Sequence, residues 1–128
     1  MESPGVVVDT SVFIEFLRAK DKKATELFML ADQYLIYISS VTIYELYIGA
    51  TDEQKREDVR LLTEDAIVLP FDERVSLKAA EIYHVLRGAN KMIEFRDLFI
   101  AATCLENKLP VKTTIRNHFS RIKGLVLV

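Results

Sequence analysis

The sequence predicts a single α/β domain, residues 1–128, with a mainly parallel central sheet and helices on both faces. Three observations carry that expectation. The chain has 128 residues, about the size of one domain. Short, continuously apolar, β-branched runs such as Gly5-Val6-Val7-Val8 have the pattern of strands buried on both faces. Those runs alternate with segments of helical periodicity, the order that produces a parallel sheet flanked by helices.

The elements follow from period and punctuation. Gly5–Val8 is the first strand. From Ser11 to about Ala19 the chain is too polar at Glu15 and Arg18 to continue it, and Val12 and Leu17 suit a helix. A second helix runs from about Lys22 to Ala31, with Leu27, Leu30 and Ala31 at helical spacing. Tyr34–Ile38 reads as a strand. Val41–Ile48 is apolar on nearly every side, the signature of a buried helix. The stretch from Asp52 to Asp65 is dense in both charge signs and reads as a solvated helix face. Ala66–Leu69 is a further buried strand. Val75, Ala79, Ile82 and Leu86 recur at helical intervals, with Gly88 as the C-cap. Another apolar helix extends from Arg96 to about Asn107. Leu109–Lys112 is a weaker strand, because Pro110 fits only at a strand start or edge. Leu125–Val128 reads as the last strand.

Composition excludes several classes. Half of the residues are hydrophobic and 28% are charged, the balance of a globular protein. The N-terminal residues lack the basic flank and apolar stretch of a signal peptide. No apolar run approaches the roughly 20 residues of a membrane span. A cytoplasmic protein with no membrane partner is therefore expected. The single cysteine, Cys104, has no internal disulfide partner, and no Cys/His cluster has zinc spacing. With 17 Lys plus Arg against 19 Asp plus Glu, the net charge is −2. Bulk positive charge therefore does not hold nucleic acid here; local basic patches or bound metal would have to do so.

The informative acids are those in apolar surroundings, since an unpartnered buried carboxylate costs several kcal/mol. Most acids here share polar helices with Lys and Arg. Glu15 is assigned to Arg18, one turn on. Three acids lack such neighbours. Asp9 ends the first strand, where sites form in open α/β sheets. Glu45 lies within the apolar helix, and Asp97 opens the segment Asp97-Leu98-Phe99-Ile100-Ala101-Ala102. Convergence on one hard cation, Mg²⁺ or Mn²⁺, would compensate all three. Residue types alone lead to a metal-binding acidic site and no further.

Other chemistries lack their motifs. The four glycines, Gly5, Gly49, Gly88 and Gly124, are too scattered for a phosphate loop. Cys104 and His84 read as structural, no serine has a nucleophile-elbow context, and the role of His118 stays open. A haloacid-dehalogenase-type phosphatase would use Asp9 with a second Asp two residues later, where Ser11 stands.

The chain resembles the PIN-domain family. Val6-Val7-Val8-Asp9-Thr10-Ser11-Val12-Phe13-Ile14 looks like its opening strand and helix start. Ser40-Val41-Thr42-Ile43-Tyr44-Glu45-Leu46-Tyr47-Ile48-Gly49-Ala50 resembles its second acidic motif. Ile93-Glu94-Phe95-Arg96-Asp97-Leu98-Phe99-Ile100-Ala101-Ala102 resembles the third, and Thr113–Phe119 with the following Ser120–Leu125 looks like the C-terminal segment. Order, spacing and length together suggest the small VapC-like toxins of toxin–antitoxin pairs. The resemblance implies a Rossmann-like sheet and an Mg²⁺- or Mn²⁺-dependent site that cleaves RNA. Asp9, Glu45 and Asp97 carry over as catalytic acids and metal ligands. Ser11 and Thr113 carry over as hydroxyls supporting the site. The family usually shows Asn or Asp two residues after that Thr, where Ile115 stands, and Asn117 is the nearest substitute. His118-Phe119 matches a variant of the motif.

Basic residues available to guide an RNA backbone are Arg18 and Lys22 on one side, Lys112 and Arg116 on another; the competing reading is ordinary solvated turns. The resemblance also implies a homodimer and a small antitoxin that inserts into the acidic groove. The alternative function is a catalytically weak or inactive PIN-like scaffold that binds RNA or protein, with Ile115 as its best support.

Overall fold

The computed structural model describes residues 3–128; the N-terminal reading lies partly on Met1 and Glu2, outside that range. The first strand, β1 (Gly5–Val8), encloses Val6, Val7 and Val8 completely. Alternation of side chains sends them to opposite faces, so Val7 joins one core cluster while Val6 and Val8 join the other. β1 pairs in parallel with β2 (Leu35–Ser39), and β2 pairs in parallel with β3 (Ile67–Leu69). On its other side β1 pairs in parallel with β4 (Val111–Lys112), giving the order β3-β2-β1-β4. The chain thus starts in the middle of the sheet, builds outward through β2 and β3, then crosses to β4. That reversal places the switch point between β1 and β4, where open α/β sheets form their sites.

Helices cover both faces, as the alternating pattern predicts. α1 (Thr10–Arg18), α2 (Glu26–Ala31), α3 (Ser40–Ile48) and α4 (Glu53–Thr63) pack with Val6 and Val8. α5 (Glu73–Gly88) and α6 (Phe95–Glu106) pack on the opposite face with Val7 and Val111. Side-chain caps fix several starts: Asp52 accepts from the Lys55 amide at 2.8 Å, and Asp72 from the Val75 amide at 3.0 Å. Such caps satisfy amides that a helix start leaves open. α4 is the solvated helix expected from its charge, with Val59 as its buried anchor.

Five readings need correction. The expected helix over Lys22–Ala31 is a 3₁₀ turn (Lys22–Ala24) followed by α2, because Thr25 interrupts it and caps α2 through the Phe28 amide. β3 is an edge strand, and Ile67 and Val68 are exposed. α3 is not buried all round: Thr42 and Leu46 face inward, whereas Tyr44, Tyr47 and Ile48 lie open. Gly88 is still helical, and the left-handed residue ending α5 is Asn90, at φ 55°, a residue type that tolerates that region. Leu125–Val128 makes one parallel bridge, Leu127 to Val111, rather than a strand. Its neighbour β4 is two residues long, too short to support a longer ladder. A short helix absent from the sequence reading, α7 (Arg116–Phe119), follows β4 and buries Phe119.

Candidate active site

Asp9 leaves the carboxyl end of β1 and is only 2% exposed. It stands at the N-cap of α1 but makes no cap bond with its side chain. Its Oδ2 instead accepts from Ser11 Oγ at 2.7 Å and Thr113 Oγ1 at 2.9 Å. Thr113 is delivered by β4, whose Lys112 is in register with Val8. The same hydroxyls also accept backbone amides, Thr114 on Ser11 and Ile115 on Thr113, which fixes the loop after β4. No donor among the described residues reaches Asp9 Oδ1. Its side-chain donors are two neutral hydroxyls, with no ion pair among the described residues.

Asp97 lies in the first turn of α6, near the positive end of the helix. It is buried, and its Oδ2 is 2.8 Å from His118 Nδ1 on α7. Burial pushes its carboxyl above the usual range, the His118 contact opposes that, and the negative charge of Asp9 raises it again. The two acids are therefore electrostatic neighbours.

Glu45 approaches from α3 with its side chain 15% exposed. Both oxygens are engaged. Thr10 Oγ1 donates to Oε1 at 2.8 Å, and Arg96 reaches Oε2 at 3.3 Å. Thr10 also lies 3.0 Å from the Thr42 hydroxyl, which ties α1 to α3. Among the described residues, no three His, Cys, Asp or Glu side chains close on a common point that would grip an ion. Asp9, Asp97 and Glu45 each keep separate partners: Ser11 and Thr113, His118, and Thr10 with Arg96.

The donor set nevertheless suits a hard divalent cation. Asp9 and Asp97 are buried carboxylates, neither ion-paired to Lys or Arg among the described residues. Asp9 keeps one oxygen free of hydrogen bonds. Oxygen-only donors of this kind match Mg²⁺ or Mn²⁺.

The remaining sequence candidates fall unevenly. Asn117 is exposed and only its backbone carbonyl is bonded, to Ser120; its neighbour His118 is the residue that reaches the acids. Lys22 turns onto the α1 carboxyl end, bonding the carbonyls of Phe16, Leu17 and Ala19. Lys112 pairs with Glu26 at 3.4 Å, and Arg116 donates to the Val128 carbonyl at 3.1 Å. Arg18 is exposed on a cleft of about 450 Å³ that includes Leu17, Glu45, Lys55 and Asp58. Glu15 does not pair with Arg18; its Oε1 accepts the Glu26 amide at 3.0 Å and holds the start of α2. Thr10 and Arg96 were not among the sequence candidates. Their only signal is adjacency to Asp9 and Asp97.

Comparison with known proteins agrees with this architecture. Residues 6–125 match the family model described as PIN domain. Ribonuclease VapC3 of Methanocaldococcus jannaschii is 34% identical over 75% of this chain and 94% of its own. Ribonuclease VapC1 of the same organism is 28% identical over 95% of this chain and 84% of its own. Among solved structures, a DNA-bound VapBC from Salmonella typhimurium superposes with a TM-score of 0.87 at 25% identity, covering 98% of this chain and 97% of that one. The chain belongs to the PIN-domain family.

Proposed function

We propose that this protein is a metal-dependent endoribonuclease, the toxin of a toxin–antitoxin pair, with Asp9, Glu45 and Asp97 as its acids. The observation that carries the reading is two buried carboxylates, Asp9 at the carboxyl end of β1 and Asp97 in the first turn of α6, neither ion-paired to Lys or Arg among the described residues. The relatives named ribonuclease VapC support RNA as the substrate.

The residues divide the work. Asp9 and Asp97 would hold Mg²⁺ or Mn²⁺, with Glu45 completing the set once it leaves Arg96. When bound, the ion supplies positive charge for the attacked phosphate and acidifies the attacking water. Ser11 and Thr113 fix the rotamer of Asp9 by bonding one of its oxygens. His118 orients Asp97 in the same way. Burial of both carboxylates strengthens their attraction for a cation, whose charge would offset their repulsion of the RNA phosphate. Arg18, on the cleft beside Glu45, is the basic residue best placed to guide the RNA backbone.

Partners follow the same reading. The solved structures named VapBC support a small antitoxin, for which the cleft beside Glu45 offers mixed charge and apolar surface. Exposed Tyr44, Tyr47 and Ile48 on α3 support a homodimer. No helix among the described residues is long and apolar enough to cross a membrane, in keeping with action in the cytoplasm. One observation favours a second reading, a PIN-like scaffold without catalysis: among the described residues no three acids close on an ion-sized point.

Product-end analysis tests the proposal. Hydrolysis by a directly attacking water leaves a 3′-hydroxyl and a 5′-phosphate. RNA fragments ending in a 2′,3′-cyclic phosphate would overturn the mechanism.

A further inference from the structure

We propose that Arg96 is a positioning residue of the acidic site, occupying Glu45 until a divalent cation competes for that carboxylate, and then turning to an RNA phosphate beside the scissile bond. The inference rests on the nuclease reading for its RNA half. Its metal half stands on geometry alone.

The guanidinium bridges two acids from different elements. One terminal nitrogen lies 2.8 Å from Glu94 Oε2, its neighbour at the α6 N-cap. The other lies 3.3 Å from Glu45 Oε2 on α3. Glu94, Glu45 and, more weakly, Asp97 all raise the basicity of Arg96, so it is the cation that this acidic mouth currently shares. Glu94 alone would satisfy an ordinary surface arginine; the reach to Glu45 is the unusual contact.

The contact is also weak enough to yield. Arg96 is 58% exposed, and exposed ion pairs are screened and contribute little. A divalent ion held at the acidic site would offer Glu45 twice the charge of the guanidinium. The freed guanidinium then sits at the rim of the site with a planar donor fork suited to phosphate.

Mn²⁺ titration calorimetry of the RNA-free protein tests the competition, beside Arg96→Gln and Arg96→Lys with equal melting temperatures checked first. Arg96→Gln is expected to bind Mn²⁺ about threefold to tenfold tighter, and Arg96→Lys to stay near the parent. Steady-state RNA cleavage is expected to show KM raised about tenfold in Arg96→Gln with kcat changed less than twofold. Equal or weaker Mn²⁺ affinity in Arg96→Gln overturns the proposal, as does an absence of Mn²⁺ binding in every variant. Tighter Mn²⁺ binding in Arg96→Gln with no RNA cleavage by the parent supports the metal half and overturns the RNA half together with the nuclease reading. A fall in kcat at unchanged KM overturns the RNA half alone.

Discussion

Thr113 Oγ1 donates to Asp9 Oδ2 at 2.9 Å across 104 positions of the chain, joining the carboxyl ends of β4 and β1. Both residues are buried, so the bond is hard to replace with water. Thr113→Val keeps the shape and removes the donor. It is expected to lower stability by about 1–3 kcal/mol, the usual cost of a lost partner at a buried polar group, measured by urea denaturation. Cleavage per folded molecule should fall with it. Thr113→Ser retains the hydroxyl and should recover both quantities.

Asp97 carries the pH dependence. Burial is the main cause of its raised carboxyl pKa, so the native state holds this proton more tightly than the unfolded chain does. The stability tied to this group is fully present below the unfolded carboxyl value, about 3.9, and is lost as pH rises through the raised native value. Asp97→Asn should remove that decline. In EDTA at pH 7 the variant should melt above the parent by on the order of a few degrees. Added Mn²⁺ should raise the melting temperature of the parent and leave the variant unchanged.

Gly5 sits under Tyr37 from the neighbouring strand. A Cβ there would lie 2.6 Å from Tyr37 Cε2 and 3.0 Å from Leu109 Cδ2. Gly5→Ala must push the ring aside, an overpacking cost of about 1–3 kcal/mol. Urea midpoints should show the loss. The cleavage rate of the folded fraction should be unaltered, because Asp9 is anchored by β4 as well as β1.

Cys104 is fully enclosed in α6, and burial pushes its thiol far up. A disulfide reagent should leave the native protein unmodified and titrate one thiol per chain in guanidinium. Rapid native labelling would mean that the C-terminal half of α6 opens around Cys104.

What the sequence reveals depends on how local the cause is. β1 and Asp9 are legible because three consecutive β-branched residues followed by an acid have few other resting places in an α/β protein. The helix caps at Asp52 and Asp72 are similarly local. The edge position of β3 is not legible, since Ala66–Leu69 has the composition of a central strand and only sheet order exposes it. The openness of Tyr44 and Ile48 escapes periodicity because α3 is apolar on the faces it leaves uncovered. Leu125–Val128 has strand composition but too short a neighbour to pair with. Within the site, Thr10 and Arg96 on Glu45, and His118 on Asp97, are meetings of distant segments, whose only local signs are adjacency to Asp9 and Asp97 and the pair His118-Phe119.

The most direct test of the central claim is RNA cleavage by the purified protein in Mg²⁺, Mn²⁺ or EDTA, beside Asp97→Asn. The account predicts cleavage with either metal, none in EDTA, and a loss of at least about 100-fold in the variant, which lacks one of the proposed metal ligands. Cleavage that persists in EDTA, or a variant as active as the parent, would contradict it.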